Sequence, residues 1–306
     1  MLDWHGWLSQ FALLMTSVRV RSFAKLNITL DVLNKRPDGY HNIESVVQSI
    51  SLHDDIAVSG PQPGITVGCT DETIPAGGGN LAHRACVMFL EAAGLGEGVS
   101  IEIEKTIPPQ AGLGGGSSNA AATLIALNEV FGHPLSSSEL RRISAQLGSD
   151  VPFFLIGGTG FAAGRGDMVS SLPDCLLDYV IVKPEFGVST GWAYSRLVED
   201  RTPVSRSRAA AEACRAGDRH LLIEHMGNDF EEVVESESPE VADIRRELSR
   251  LGADRAMLAG SGSAVFGAFL SADSADTAFD AARDQYHRVF RARTVTRKEF
   301  GSCVSV

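Results

Sequence analysis

Residues 108–122 read PPQAGLGGGSSNAAA, with glycines at Gly112, Gly114, Gly115 and Gly116, two serines behind them and an alanine run beyond. Glycine lets the backbone take positive φ and lets a ligand approach bare N–H groups. The helix that the alanine run opens adds unpaired N–H donors and the positive end of its dipole. Together these make an anion cradle, to which Ser117 and Ser118 bring hydroxyls for phosphate or a magnesium ion. A Walker A loop is excluded because no lysine follows the glycines, and a GxGxxG dinucleotide loop from Gly112 fails at Ser117. The simpler alternative is a flexible turn that starts an alanine-rich helix.

Other residues could act beside such a cradle. Lys25 and Asn27 stand two apart in a stretch where Leu26, Ile28, Leu30 and Val32 alternate with polar neighbours, so both project from one strand face. A solvated lysine at a strand edge is the ordinary reading of that position. Asp150 follows a helix stop at Gly148 and precedes Val151-Pro152, where a carboxylate serves either as an N-cap or as a general base. Tyr40 and His41 follow the turn residues Pro37-Asp38-Gly39 and offer either loop packing or a stacking surface. HExxH and CxxC spacings are absent, and no cysteine or serine has a recognisable nucleophile environment.

The elements that must position these groups follow from periodicity. Strands are expected over 18–32, 46–58 and 99–104, with a helix over 81–93. The helix behind the glycines presents Leu124, Ile125, Leu127, Val130 and Phe131 as a buried stripe, capped by Ser117 or Ser118 and stopped at Gly132. A second opens at Ser136 to Ser138 and ends at Gly148. Strands follow around Phe161 and over 179–183, then an exposed loop over 200–208 and helices over 209–216, 221–235 and 239–251. Strands at 255–258 and 264–270, a helix from Ala275 and a last strand over 289–294 complete the chain. This order predicts an α+β fold with domains over 16–172 and 173–306 behind an extension over 1–15. That extension is either an amphipathic segment or the stretch ahead of a start at Met15.

Composition narrows the partners. With 306 residues, 44% of them apolar and 21% charged, the chain has enough hydrophobic material for a real core. A net charge of −11 argues against nucleic acid or an anionic membrane as partner. The five cysteines are scattered and odd in number, which reads as reduced thiols in the cytoplasm with no disulfide framework or zinc site. No apolar run approaches the length of a membrane span, and the first residues lack the basic region of a signal peptide.

The full string over 108–122 closely resembles the second motif of the GHMP kinase superfamily. Phe23-Ala24-Lys25-Leu26-Asn27 is similar to its first motif, and LAGSGSAVF over 258–266 to its third. The resemblance spans nearly the whole chain from Ser22 and implies two domains, one like ribosomal protein S5 domain 2 and one ferredoxin-like. It implies that ATP lies on Pro108, Pro109, Gln110, Ala111, Gly112, Leu113, Gly114, Gly115, Gly116, Ser117 and Ser118, with Asn80 and Lys105 near the adenine. Lys25 and Asp150 become the catalytic pair, the aspartate as base and the lysine as charge stabiliser. Gly260, Ser261 and Gly262 become packing for the phosphate loop or the acceptor. Mg2+ accompanies ATP, with Ser117 or Ser118 as the available hydroxyls and further ligands left open.

RPDGYH over 36–41, GSDVPF over 148–153 and GVSTGWAY over 187–194 are similar to one branch of the superfamily. Its acceptor is a cytidine diphosphate sugar alcohol, phosphorylated on the 2-hydroxyl in the non-mevalonate route to isopentenyl diphosphate. The resemblance implies that Tyr40 stacks on one side of the cytosine, Tyr194 on the other, and His41 reads the edge. Asn27 and Thr190 then face the rest of the acceptor. A cytoplasmic enzyme with a small-molecule substrate is implied, monomeric or weakly dimeric, without a nucleic-acid or membrane partner. Branches acting on homoserine, mevalonate or galactose have no need of a nucleobase clamp, and a nucleotide-binding regulator on the same scaffold is the non-enzymatic alternative.

Overall fold

A computed structural model describes residues 16–197 and 205–305; the extension over 1–15 and most of the loop expected over 200–208 lie outside them. The first half opens with β1 (Thr16–Asn27), β2 (Thr29–Lys35) and β3 (His41–Gln62), followed by β4 (Thr66–Cys69), α1 (Leu81–Ala93) and β5 (Gly98–Glu104). Next come α2 (Gly115–Val130), α3 (Ser137–Leu147), β6 (Thr159–Gly164) and β7 (Met168–Leu172). The 22-residue β3 is the spine of this sheet, pairing antiparallel with β1, β2, β5 and β6 along its length. Alternation in the sequence places Val18, Val20, Ile56 and Val58 inward, against α1 and α2. A fully buried Phe89 on α1 anchors the same cluster, a burial that contributes about 2–3 kcal/mol.

Helix starts are set by local chemistry. Asn80 caps α1, its Oδ1 accepting from the Ala82 amide at 2.9 Å. Ser136 and Glu139 form a capping box on α3. α2 departs from the striped helix expected, because from Ser118 to Leu127 every residue but Ile125 is buried. It runs through the middle of its layer, against β1 and β3 on one side and α1 on the other, and the alanines permit that close approach.

The second half comprises β8 (Asp178–Val182), α4 (Thr190–Ser195), α5 (Arg206–Ala216), α6 (Arg219–His225), β9 (Gly227–Asn228), α7 (Glu231–Glu237) and α8 (Pro239–Arg250). β10 (Arg255–Leu258), β11 (Val265–Phe269), α9 (Ala272–Arg283), β12 (Val289–Arg293), α10 (Arg297–Phe300) and β13 (Val304–Ser305) follow. β8, β10, β11 and β12 form an antiparallel sheet in the order β10-β11-β8-β12, the strand order of a ferredoxin-like unit. The fold is therefore α+β, with two mixed layers. β7 and β8, which flank residues 172–175, lie in different sheets, yet the chain crosses back twice. β9 pairs parallel with β2, and β13 pairs antiparallel with β1. A shared core of Leu26, Ile50, Tyr179, Ile181 and Phe266 joins the sheets, and Tyr179 Oη donates to Gln48 Oε1 across this seam at 2.5 Å.

Two expectations are corrected here. The helix expected over 221–235 is two short helices separated by β9, because Gly227 and Asn228 leave the helical path to pair with Thr29 and Leu30. The exposed loop expected to reach residue 208 has become helix by Arg206. Ser207 is buried there, its amide donating to Asp31 and its hydroxyl to the Glu44 carbonyl, both at 2.8 Å.

Candidate active site

A cleft of about 920 Å³ runs between the glycine-rich loop, the ends of β1 and β2, the segment around Asp150, the start of α4 and the 260–261 turn. Of the residues singled out from sequence, Lys25, Asn27, Tyr40, His41, Asn80, Lys105, Asp150, Thr190, Tyr194, Gly260 and Ser261 line it. So does the loop from Pro108 through Ser117. Ser118 and Gly262 are not part of this wall.

The loop is held by its backbone. Gly114 is the N-cap of α2, in left-handed conformation with φ 73, so the cap is not Ser117 or Ser118 as the sequence predicts. A side chain at Gly114 would meet Phe154 at 2.8 Å and Lys25 at 3.0 Å, which is why only glycine closes this corner. The amides of Gly115, Gly116 and Ser117 occupy the first turn, where a helix supplies no internal acceptor, and these residues face the cleft. Ser118 is occupied elsewhere: its hydroxyl donates to the Phe23 carbonyl and accepts from Ser22, each at 2.7 Å. It pins α2 to β1 instead of reaching a ligand, leaving Ser117 as the hydroxyl at the cleft.

Lys105 lines the cleft too, but its ammonium is bound to the fully buried Asp54 at 2.9 Å and to the Ile107 carbonyl. Asp54 also accepts from the amides of Thr106 and Ile107 at 2.7 Å, so this ion pair fixes the strand end from which the loop departs. Asn80 uses its Oδ1 as a cap, and its Nδ2 is buried without a hydrogen-bond partner. An unpaired donor of that kind at a cleft wall is suited to a ligand acceptor.

Lys25 is not a solvated edge lysine. Its residue is 5% exposed, its Nζ donates to Asn27 Oδ1 at 2.5 Å, and its amide donates to the Leu113 carbonyl at 3.0 Å. Asn27 is oriented in turn by Ser45, whose Oγ accepts from Nδ2 at 2.8 Å. Asp150 Oδ2 lies 3.6 Å from Lys25 Nζ, with its side chain 46% exposed to the cleft. That separation is an ion-pair contact too long for a hydrogen bond, so the carboxylate keeps its acceptor sites for a third group. No backbone N–H among the described residues is capped by Asp150, and Pro152 is the N-cap of the short 3-10 turn Phe153–Leu155. The geometry thus joins an ammonium and a free carboxylate at the end of the anion loop.

At the other end stand the aromatics. His41 and Tyr194 stack with centroids 5.3 Å apart and planes 23° from parallel, and Phe230 meets Tyr194 edge-on at 4.8 Å. Tyr40 is 55% exposed, with the Arg165 guanidinium 5.1 Å from its ring centre. Burial pushes the Tyr194 phenol up to about 12, with the Asp150 charge adding to the shift. Thr190 Oγ1 and Ser261 Oγ lie 2.9 Å apart, linking the start of α4 to the third motif. That turn also donates from Ser263 and Ala264 amides to the Gln110 and Ala111 carbonyls at 3.3 and 3.2 Å. Arg165, Ser45, Asp54 and Phe230 were not singled out from sequence. A basic residue between Gly164 and Gly166 was the available signal for the first; the others look like ordinary strand or helix residues.

Family models for the GHMP kinases N terminal domain and the GHMP kinases C terminal match residues 80–158 and 210–288. A 4-diphosphocytidyl-2-C-methyl-D-erythritol kinase of Pelotomaculum thermopropionicum is 43% identical over 277 residues, 90% of this chain and 95% of that one. A crystal structure of 4-(cytidine 5'-diphospho)-2C-methyl-D-erythritol kinase is similar with a TM-score of 0.77 at 34% identity, covering 90% of this chain and 98% of that one. Homoserine kinase from Cytophaga hutchinsonii shares the fold, with a TM-score of 0.73 at 18% identity over 92% and 95% of the two chains. The chain therefore belongs to the GHMP kinases and, within them, to the 4-diphosphocytidyl-2-C-methyl-D-erythritol kinase family. Its co-substrate is ATP.

Proposed function

We propose that this chain transfers the γ-phosphoryl group of ATP to the 2-hydroxyl of 4-diphosphocytidyl-2-C-methyl-D-erythritol, giving the 2-phosphate and ADP in the methylerythritol phosphate route to isopentenyl diphosphate. The observation that carries this reading is one cleft holding an anion loop, the Lys25–Asp150 pair and an aromatic wall in that order. The loop amides of Gly115, Gly116 and Ser117 hold the phosphates, and Pro108 to Leu113 line the nucleotide's approach, with the Asn80 Nδ2 donor beside it. Asp150 takes the proton from the attacking hydroxyl, whose oxygen bonds to the γ-phosphorus as the bond to the β–γ bridging oxygen breaks. Lys25, held by Asn27, stabilises the charge that develops on the transferring group. Positioning and charge stabilisation carry the reaction, without a covalent intermediate.

Of the two serines, Ser117 would be the one to hold a magnesium ion, since it lines the cleft, whereas the Ser118 hydroxyl is taken by Phe23 and Ser22. Brought in with ATP, the ion would neutralise phosphate charge. A cytoplasmic enzyme, monomeric or weakly dimeric, is part of the same proposal, and its five cysteines are free thiols.

In this reading the cytosine stacks on Tyr40 and, opposite it, on Tyr194, with His41, whose ring now packs against Tyr194, turning to read the edge of the base. Tyr40→Ala is expected to raise the acceptor KM roughly tenfold, the value of one lost base–aromatic stack, while the ATP KM stays within about twofold. Equal weakening of both ligands would count against the assignment. Tyr194 has no hydrogen bond through its hydroxyl among the described residues, so Tyr194→Phe should keep the acceptor KM within about twofold. A much larger rise would show that the phenol itself reads the ligand. Phosphorus NMR of the product tests the site of transfer: the reading requires a new phosphomonoester on the 2-oxygen, and phosphate on any other oxygen contradicts it.

A further inference from the structure

Asn228 ends β9, the two-residue strand that interrupts the expected helix, is 4% exposed and does not line the cleft. Its backbone is fixed: it pairs parallel with Leu30, and the following Asp229 amide donates to the Leu30 carbonyl at 3.0 Å. Its carboxamide is almost fully used. Nδ2 donates to the Leu258 carbonyl at 2.9 Å and to the Gly260 carbonyl at 2.6 Å, and Oδ1 accepts from the Phe230 amide at 3.0 Å.

These three partners belong to two working parts of the cleft. A methyl placed on Gly260 would lie 3.3 Å from Asn27 Oδ1 and 3.4 Å from Lys25 Nζ, so the turn held by Asn228 faces that pair at close range. The turn carrying it also bonds to the Gln110 and Ala111 carbonyls of the phosphate loop. Phe230, on the acceptor side of Asn228, is the ring that buttresses Tyr194. We infer that Asn228 is a positioning residue for phosphoryl transfer, its two donors setting the third-motif turn against Lys25 and its acceptor setting the Phe230–Tyr194 wall. This rests on the functional reading above and extends it to a side chain that touches neither substrate.

The two halves of the amide separate in the test. Asn228→Asp keeps an acceptor for the Phe230 amide and loses both donors; Asn228→Ala loses all three bonds. The expected result for the aspartate variant is a kcat about tenfold lower or more, with the acceptor KM within about twofold, as a displaced catalytic loop requires. The alanine variant should lose kcat similarly and also raise the acceptor KM by about fivefold or more, because its aromatic wall is released. Rates are taken per mole of ATP-binding protein, with melting temperatures recorded alongside. A merely structural role would lower the melting temperature and leave kcat per binding-competent protein unchanged, which overturns the inference; so does an identical kcat and KM pattern in the two variants. If the aspartate variant does not fold, Asn228→Ser, with one donor left, decides: a reduced kcat supports the inference and a wild-type kcat overturns it. Wild-type turnover of the cytidyl acceptor is measured in parallel, since its absence would refute the functional reading, whereas its presence with unchanged variants refutes only the role of Asn228.

Discussion

Asp150→Asn is expected to lower kcat by roughly two or more orders of magnitude, the usual cost of removing a general base, while ATP binding and the melting temperature stay near wild type. That loss corresponds to about 3 kcal/mol of transition-state stabilisation. The asparagine is isosteric, so the steric shape of the cleft is kept. No backbone N–H among the described residues depends on the Asp150 carboxylate, and Pro152, not Asp150, stands at the N-cap position of the adjacent 3-10 turn, so no helix cap is lost. What disappears is the proton acceptor and the negative partner 3.6 Å from Lys25. Steady-state turnover, ATP titration and a thermal melt on the same preparation separate the two roles this carboxylate could have had. A clear fall in melting temperature with turnover retained would restore the capping role and remove Asp150 from the chemistry.

Gly112→Ala should abolish most activity for a different reason. Gly112 has φ 78, a conformation in which a non-glycine residue is strained by about 1–3 kcal/mol. A methyl there would overlap the Ala259 carbonyl oxygen, with the carbonyl carbon at 2.8 Å and the Gly262 nitrogen at 3.1 Å. Those atoms are backbone, so no side-chain rotation relieves the clash, and the phosphate loop must part from the third-motif turn. The predicted outcome is a stability loss of about 3 kcal/mol or more, seen as a melting temperature lower by about 5 °C or more. An ATP KM raised at least about tenfold, with reduced kcat, should accompany it. A variant with wild-type melting temperature and ATP KM would mean that the two loops do not meet as closely as the structure places them.

Much of this site was legible in the residues because its signals are local. A glycine run ahead of alanines states an anion loop, and the spacing of Lys25 and Asn27 on one strand face foretells their 2.5 Å contact. The helix Leu81–Ala93 followed from its periodicity and Ser137–Leu147 from Ser136 and Gly148, whereas the cap that Asn80 supplies was not read from the sequence. The failures are long-range. Nothing near Ser118 reveals that its hydroxyl is taken by Phe23 and Ser22, some 95 residues away in sequence. The break at Gly227-Asn228 is imposed by pairing with β2, a tertiary contact that overrides a helical pattern. Lys105 looks unremarkable until Asp54 is found beside it, buried and accepting from two loop amides. In the proposed reading the glycine loop holds the phosphate, Lys25 and Asp150 transfer it, and the wall around Tyr40 and Tyr194 selects the acceptor.

That last step is the central claim, and a coupled turnover assay across acceptors tests it most directly. ATP and magnesium would be supplied with 4-diphosphocytidyl-2-C-methyl-D-erythritol, homoserine, mevalonate or galactose in parallel, and ADP release followed. The expected result is kcat/KM for the cytidyl compound at least about a thousandfold above the others, since a site built around a base clamp leaves that clamp empty with each of them. Turnover of homoserine or mevalonate with none of the cytidyl compound would contradict the account.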